Sequence, residues 1–297
     1  MGRPTTAARL RVGVARFTSC GGCQLTLAGL HEALLAVADR VDIVEFAEVL
    51  SPRSSGPYDL LLVEGSVSTP DQARRISELR RQARLLVTIG ACATTGGIQA
   101  LRNWSDGDAW RAAVYPQPQF IHALRTSTPI SEHVTVDALL RGCPIDPGQL
   151  AELVTALLVG RRAQLLDATV CMECKARGTV CLISSQGAPC LGPVTKSGCG
   201  AICPAFGRAC YGCFGPAHPA NVEALKAQFA DQGRSDEEIG RLFAGFTANA
   251  PAFRANARPP LAVLDQPPVG PEPAARISHG FPGVPPLTAS GDDDARQ

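Results

Sequence analysis

Aromatic residues are scarce in this chain: Phe, Trp and Tyr together make up 5% of 297 residues. A surface that stacks nucleic-acid bases needs more of them, and a net charge of +1 offers no electrostatic hold on nucleic acid or an anionic membrane. No uncharged apolar run reaches the length of about 18 residues that a membrane span requires, so no span is expected. The opening stretch MGRPTTAARLRVGVARF lacks an apolar signal core and an adjacent arginine pair of the twin-arginine kind, which predicts a cytoplasmic protein. The histidines, His31, His122, His133, His218 and His279, lie far apart among ordinary residues and read as surface or supporting groups. No G-x-G-x-x-G follows the first apolar run, and no G-x-x-x-x-G-K-[ST] loop occurs. Ser-His-Asp, H-E-x-x-H and paired-carboxylate patterns are missing too. Chemistry on a bound substrate is therefore not evident in this chain.

What is present begins with a globular balance of 45% hydrophobic and 19% charged residues, at a length that suits one large domain or two smaller ones. The runs Arg11–Phe17, Val41–Phe46, Asp59–Glu64 and Leu85–Ile89 are short and apolar, bounded by Gly, Pro or Ser, and read as buried parallel strands. Val134–Leu140 reads as a further strand. Helical spacing occupies Gln24–Ala38, Pro70–Ala83 and Pro147–Val159, with Thr69 placed to cap the second and prolines at two first turns. Such alternation predicts an open, doubly wound α/β sheet. From Cys171 to Gly215 the periodicity vanishes among eight cysteines, so cross-linking must hold that stretch. Asn221–Phe246 returns to helical patterning, with Ser235-Asp236-Glu237-Glu238 as a helix start. Beyond Arg258 the chain is proline-rich and then acidic, which predicts an extended tail. The expected division is residues 1–162, 163–258 and 259–297.

Twelve cysteines are the dominant feature. In a reducing compartment they read as metal ligands, whereas disulfides would need a secreted context. Cys20, Cys23, Cys92 and Cys143 each follow a predicted strand, and the loops at strand carboxyl ends of an open α/β sheet converge on one crevice. Four thiolates there suit a cubane iron–sulfur cluster, with Gly21, Gly22, Gly96 and Gly97 letting backbone bend around it. Tetrahedral zinc would use the same ligands. The second group, Cys171, Cys174, Cys181, Cys190, Cys199, Cys203, Cys210 and Cys213, divides into two sets of four. Paired C-x2-C units also serve zinc ribbons, while the Cys-Pro and Cys-Gly steps favour iron–sulfur.

TSCGGCQLTL, VEGSVSTP, IGACATTGG and RGCPID, in that order, resemble the N-terminal domain of nickel–iron hydrogenase small subunits. CMECKARGTVCLISSQGAPCLGPVTKSGCGAICPAFGRACYGCFGP is similar to their cluster-rich C-terminal domain. The resemblance implies a flavodoxin-like domain followed by an irregular cysteine-rich domain with C-terminal helices. It also implies that the catalytic nickel–iron centre resides in a separate large subunit, to which this chain is wired by three [4Fe–4S] clusters. Cys20, Cys23, Cys92 and Cys143 match the proximal ligands, and Cys171, Cys174, Cys181 and Cys190 the distal ones. Cys199, Cys210 and Cys213 match the medial ligands, and Cys203 stands where many exported relatives have proline, which implies a fourth iron there. Glu64 matches a residue at the inter-subunit face, with either proton handling or hydrogen bonding as its role. All-cysteine sites and the lack of an export signal resemble the cytoplasmic bidirectional branch, whose partners include iron–sulfur and flavin subunits that handle NAD(P)H. A hydrogenase coupled to heterodisulfide reductase shares these motifs, and a zinc-stapled interaction module is the alternative from another class.

Overall fold

The computed structural model describes residues 9–30, 40–50 and 56–257. Five strands, β1 (Leu10–Arg16), β2 (Val41–Phe46), β3 (Tyr58–Glu64), β4 (Ala83–Ile89) and β5 (Ala138–Leu140), form one sheet in the order β2-β1-β3-β4-β5. Every pairing in it is parallel. This is the flavodoxin-like order, in which the topology switches direction between β1 and β3 and opens a crevice at their carboxyl ends.

Burial on both faces explains the continuous apolar strands. Along β3, Leu60 and Leu62 enter one core with Val12, Val14, Val87 and Ile89. Leu61 and Val63 enter the opposite core with Ala15, Val44 and Leu86. Successive side chains of a strand point to opposite faces, so a run apolar at every position needs a covering layer on each side. Helix α1 (Gly22–Ala28) follows β1 in the chain and supplies Cys23 and Leu27 to the first core. Helix α2 (Pro70–Gln82) supplies Ile76 and Leu79 to the second core. It begins as expected, with Thr69 accepting from the Gln72 N–H at 3.2 Å and Pro70 in the first turn.

After β4 come two short helices that the periodicity does not announce, α3 (Gly90–Thr95) and α4 (Gly107–Val114). Helix α4 starts at Asp106, whose carboxylate accepts from Asp108 and Ala109 N–H groups at 2.9 and 3.1 Å. The expected strand Val134–Leu140 is shorter than its apolar pattern. Val134 instead closes a turn onto the Ile130 carbonyl, and pairing with β4 as a strand begins at Ala138. Helix α5 (Pro147–Leu158) buries Leu150, Leu153 and Leu157 against the first core.

The cysteine-rich stretch contains only brief helices: α6 (Val170–Ala176), α7 (Leu182–Gln186) and α8 (Ile202–Ala205). Two further helices, α9 (Val222–Asp231) and α10 (Asp236–Phe243), divide the region expected to be helical. The break falls at Gly233 (φ 83), and α10 restarts on a full capping box between Ser235 and Glu238. With α11 (Pro251–Arg254) they build a separate core of Phe229, Phe243 and Phe253, into which the cysteine stretch inserts Leu191 and Val194. The expected Gln24–Ala38 helix stops at Ala28, where Gly29 caps it; its residues 31–38 and the expected tail (259–297) lie outside the described residues. No described helix is long and apolar enough to cross a membrane.

Candidate metal centres

The four dispersed cysteines of the first group converge at the carboxyl rim of the sheet. Cys20 and Cys23 sit in the turn from β1 into α1, Cys92 lies on α3 after β4, and Cys143 follows β5. Backbone bonds lock these loops together. Thr18 and Ser66 exchange N–H to carbonyl bonds at 3.1 and 2.9 Å, and the Ala91 N–H donates to the Gly142 carbonyl at 2.7 Å. Gln99, which spacing does not single out, accepts from the Cys92 thiol at 3.4 Å and donates to the Thr18 carbonyl at 2.9 Å. Two close approaches need glycine. A Cβ on Gly90 would collide with Cys23 Sγ, and one on Gly97 would stand 2.6 Å from Cys92 Sγ.

Electrostatics show which thiols are neighbours. Burial pushes the Cys23 thiol up to about 12, and the charges of Glu64, Cys92 and Cys143 oppose its ionisation further. Burial lifts Cys92 to about 11, with Cys143 and Cys20 adding to it. Cys143 is raised by burial and then by Cys20. Bare thiolates are disfavoured in such a place, and only nearby cationic charge makes them tolerable.

Glu64 ends β3 at the same rim with 1% of its surface exposed. Its Oε1 accepts from the Cys23 N–H at 3.2 Å, while Oε2 is buried with no hydrogen-bond partner among the described residues. Burial raises its carboxyl, against the opposing pull of the Cys23 and Gln24 backbone and of Arg16. Gln24 is wholly buried, and both its amide atoms lack partners among the described residues.

The eight later cysteines are neighbours of one another in the same sense. Burial lifts Cys171 to about 11, with Cys190, Cys174 and Cys181 as its charged neighbours. Cys213 is raised to about 12, first by burial and then by Cys199, Cys143 and Cys203. Cys210 is driven up by burial, with Cys190 and Cys213 beside it. Cys181 runs the other way: it is exposed, and its thiol is lowered by the Ser184 backbone and hydroxyl and by the Ile183 backbone. The groups lie close to one another. The Cys210 N–H donates to Cys190 Sγ at 3.2 Å, Cys174 feels Cys199, and Cys213 feels Cys143.

All twelve thiols are free, so no disulfide staples the cysteine-rich stretch. Among the described residues no three Cys, His, Asp or Glu side chains close on the spacing of ligands around one ion. A cluster of several irons stands between its thiolates and needs them farther apart. Soft donors in neighbouring groups, glycines where a side chain would strike sulfur, and thiols too buried to ionise alone fit iron–sulfur clusters.

A flavodoxin-like sheet that bears thiols at its switch point, in place of a phosphate cradle, defines an α/β protein whose rim offers soft donors to a metal. The family of NADH ubiquinone oxidoreductase 20 Kd subunits matches residues 20–157, the part that carries the first four cysteines. Sulfhydrogenase 2 subunit delta of Pyrococcus furiosus is 34% identical over 237 residues, covering 80% of this chain and 99% of that protein. The matching component of the F420-non-reducing hydrogenase from Methanothermobacter marburgensis is 30% identical over 270 residues, covering 78% of this chain and 86% of the relative. Among solved structures, a chain of the NAD+-reducing [NiFe]-hydrogenase in the H2-reduced state superposes with a TM-score of 0.50 at 29% identity, over 54% of this chain and 96% of that one. This chain belongs to the nickel–iron hydrogenase small-subunit family, and membership implies iron–sulfur clusters.

Proposed function

We propose that this chain relays electrons between the nickel–iron centre of a large subunit and a flavin-bearing NAD(P) reductase, through three [4Fe–4S] clusters. One observation carries the reading: the three thiol sets form an unbroken succession. The Cys143 backbone lies beside the Cys213 thiol of the second station, and the Cys210 N–H of that station donates to Cys190 Sγ of the third at 3.2 Å. Each set holds one buried thiol, Cys23, Cys210 and Cys190, and the exposed ones, Cys20 and Cys181, fall in the two end sets.

Cys20, Cys23, Cys92 and Cys143 would hold the proximal cluster. Cys199, Cys203, Cys210 and Cys213 would hold the medial one, and Cys171, Cys174, Cys181 and Cys190 the distal one. Bound clusters supply one-electron transfer at a potential set by cluster type and surroundings. The chain's own residues fix the stations and leave one exposed thiol at each end for partners. Leu25 and Ile98, 64% and 49% exposed beside the Cys20 and Cys92 loops, fit burial by an apolar partner surface, which favours the large subunit on that face. The division into residues 1–162, 163–258 and 259–297 follows the same plan, one unit for the proximal station and one for the other two. Cytoplasmic placement belongs to this reading as well.

The NAD(P)-linked acceptor draws support from the NAD+-reducing neighbour, while the F420-non-reducing relative argues only against F420 as the acceptor. Anaerobic co-purification with a tagged chain tests both. Nickel, flavin and about twelve irons with matching sulfide assigned to this chain are expected. Colourless protein carrying about two or three zincs would end the proposal. A three-iron EPR signal from intact enzyme would remove Cys203 from the medial set.

For Glu64 the geometry favours a hydrogen-bonding role, in which its carboxylate fixes the Cys23 turn. Glu64→Gln keeps an acceptor for that N–H, so the enzyme should retain its iron and most of its hydrogen turnover. A fall of about 100-fold or more with all clusters intact would assign a proton-handling role instead.

A further inference from the structure

Glu173 lies between Cys171 and Cys174 on α6, and its carboxylate turns inward. Oε1 accepts from the Gly198 and Gly200 N–H groups at 2.8 and 3.1 Å, and Oε2 accepts from the Ala201 N–H at 3.3 Å. The Cys199 thiol stands 3.8 Å from Oε2. Backbone N–H groups arranged in this way form a concave anion-binding nest. The chain fills it with its own carboxylate. Ala201 is the one described non-glycine residue with positive φ, at 53°, and it is wholly buried. A side chain bearing Cβ adopts that left-handed conformation reluctantly, so the turn is held in a shape that the carboxylate rewards. One helical turn onward, Arg177 donates from Nη1 to the Gly200 carbonyl at 2.8 Å. The 198–201 turn is thus gripped at its N–H side and its carbonyl side by two residues from the same helical segment.

We propose that Glu173 is a positioning residue for two cluster sites at once. It pins the turn bearing Cys199 to the helix bearing Cys171 and Cys174, and it fixes a negative charge between the medial and distal stations. The proposal rests on the assignment of those cysteines as cluster ligands. Hydrogen bonds to an ionised acceptor are stronger than neutral ones, and three of them set the separation of the two ligand sets. The carboxylate stands close to both sides: Oε2 is 3.8 Å from Cys199 Sγ, and Glu173 adjoins Cys174 on the same helix. A fixed negative charge disfavours the added electron, so it lowers the potential of both stations.

The test compares wild-type, E173Q and E173A in the assembled enzyme, by iron and sulfide content and by EPR-monitored redox titration. Glutamine keeps the length and one acceptor but loses the charge. E173Q should retain its iron while the medial and distal potentials move upward and the proximal one stays. E173A, which empties the nest, should lose about four irons per chain from the Cys199 set. Unchanged medial and distal potentials in E173Q, or full iron in E173A, would overturn the proposal. If E173A fails to assemble, E173Q decides alone through its potentials. Wild-type enzyme without iron on this chain would overturn the cluster assignment itself, and the proposal with it.

Discussion

Replacing Gly90 with alanine is expected to strip the enzyme of its proximal iron, a loss of about four irons per chain. The added Cβ would stand well inside 3.0 Å of Cys23 Sγ, a distance that relaxed Cβ contacts do not reach. Neither group can yield easily. Cys23 is 7% exposed within the core beneath the sheet rim, and Gly90 is held at φ 86 where β4 turns into α3. The left-handed backbone alone costs a side chain about 1–2 kcal/mol. Gly187 separates the two effects, since it has φ 61 but nothing within 4 Å of a new Cβ. Gly187→Ala should therefore keep its full iron complement. Iron and sulfide per chain on the two purified variants make the comparison, and an iron-replete Gly90→Ala enzyme would refute the steric account.

Phe253→Ala is expected to destabilise the chain by about 3–5 kcal/mol, the usual range for emptying an aromatic site in a core. Phe253 is 1% exposed and meets the Phe243 ring at 5.4 Å and 59°. Its edge also lies 3.3 Å from where a Cβ on Gly212 would be, in the turn between Cys210 and Cys213. The helical core behind the cysteines therefore supports their loop directly through Leu191, Val194 and this ring. The denaturant midpoint should fall, and visible absorption should bleach together with unfolding. An unchanged midpoint would mean that the metal sites hold the region without help from the helices.

Much of the sheet was legible because its strands are buried on both faces. Val41–Phe46 matches its apolar run residue for residue, and β1, β3 and β4 differ from theirs by one or two terminal residues. The order β2-β1-β3-β4-β5 came with the flavodoxin-like resemblance, since alternation of strand and helix alone implies parallel pairing without saying which strand lies beside which. Helices α3 and α4 were missed because six and eight residues are too few to display a 3.6-residue period. Val134 misled for a different reason: it is apolar because it packs against the second core, not because it extends β5.

The thiol groups were easier to read than the residues that steer them. Cysteines announce themselves by rarity and spacing, and the strand-end positions of the first four were enough to bring them to one rim. Gln99, Gln24 and Glu173 carry no such mark, for each is a common residue whose partner lies far away in sequence or is not found among the described residues. Glu173 had one usable signal, an acidic residue enclosed between two candidate ligands. Only the positions of the Gly198, Gly200 and Ala201 N–H groups explain why it stands there.

Because every strand runs the same way, the loops that build the first thiol group all end on one rim and span Cys20 to Cys143. A nascent chain emerging from the ribosome cannot complete that group until β5 has docked as the outermost strand. The later eight cysteines are instead packed into a single short stretch. On the proposed assignment, maturation of the first station would be tied to closure of the whole sheet, and maturation of the others to a local event.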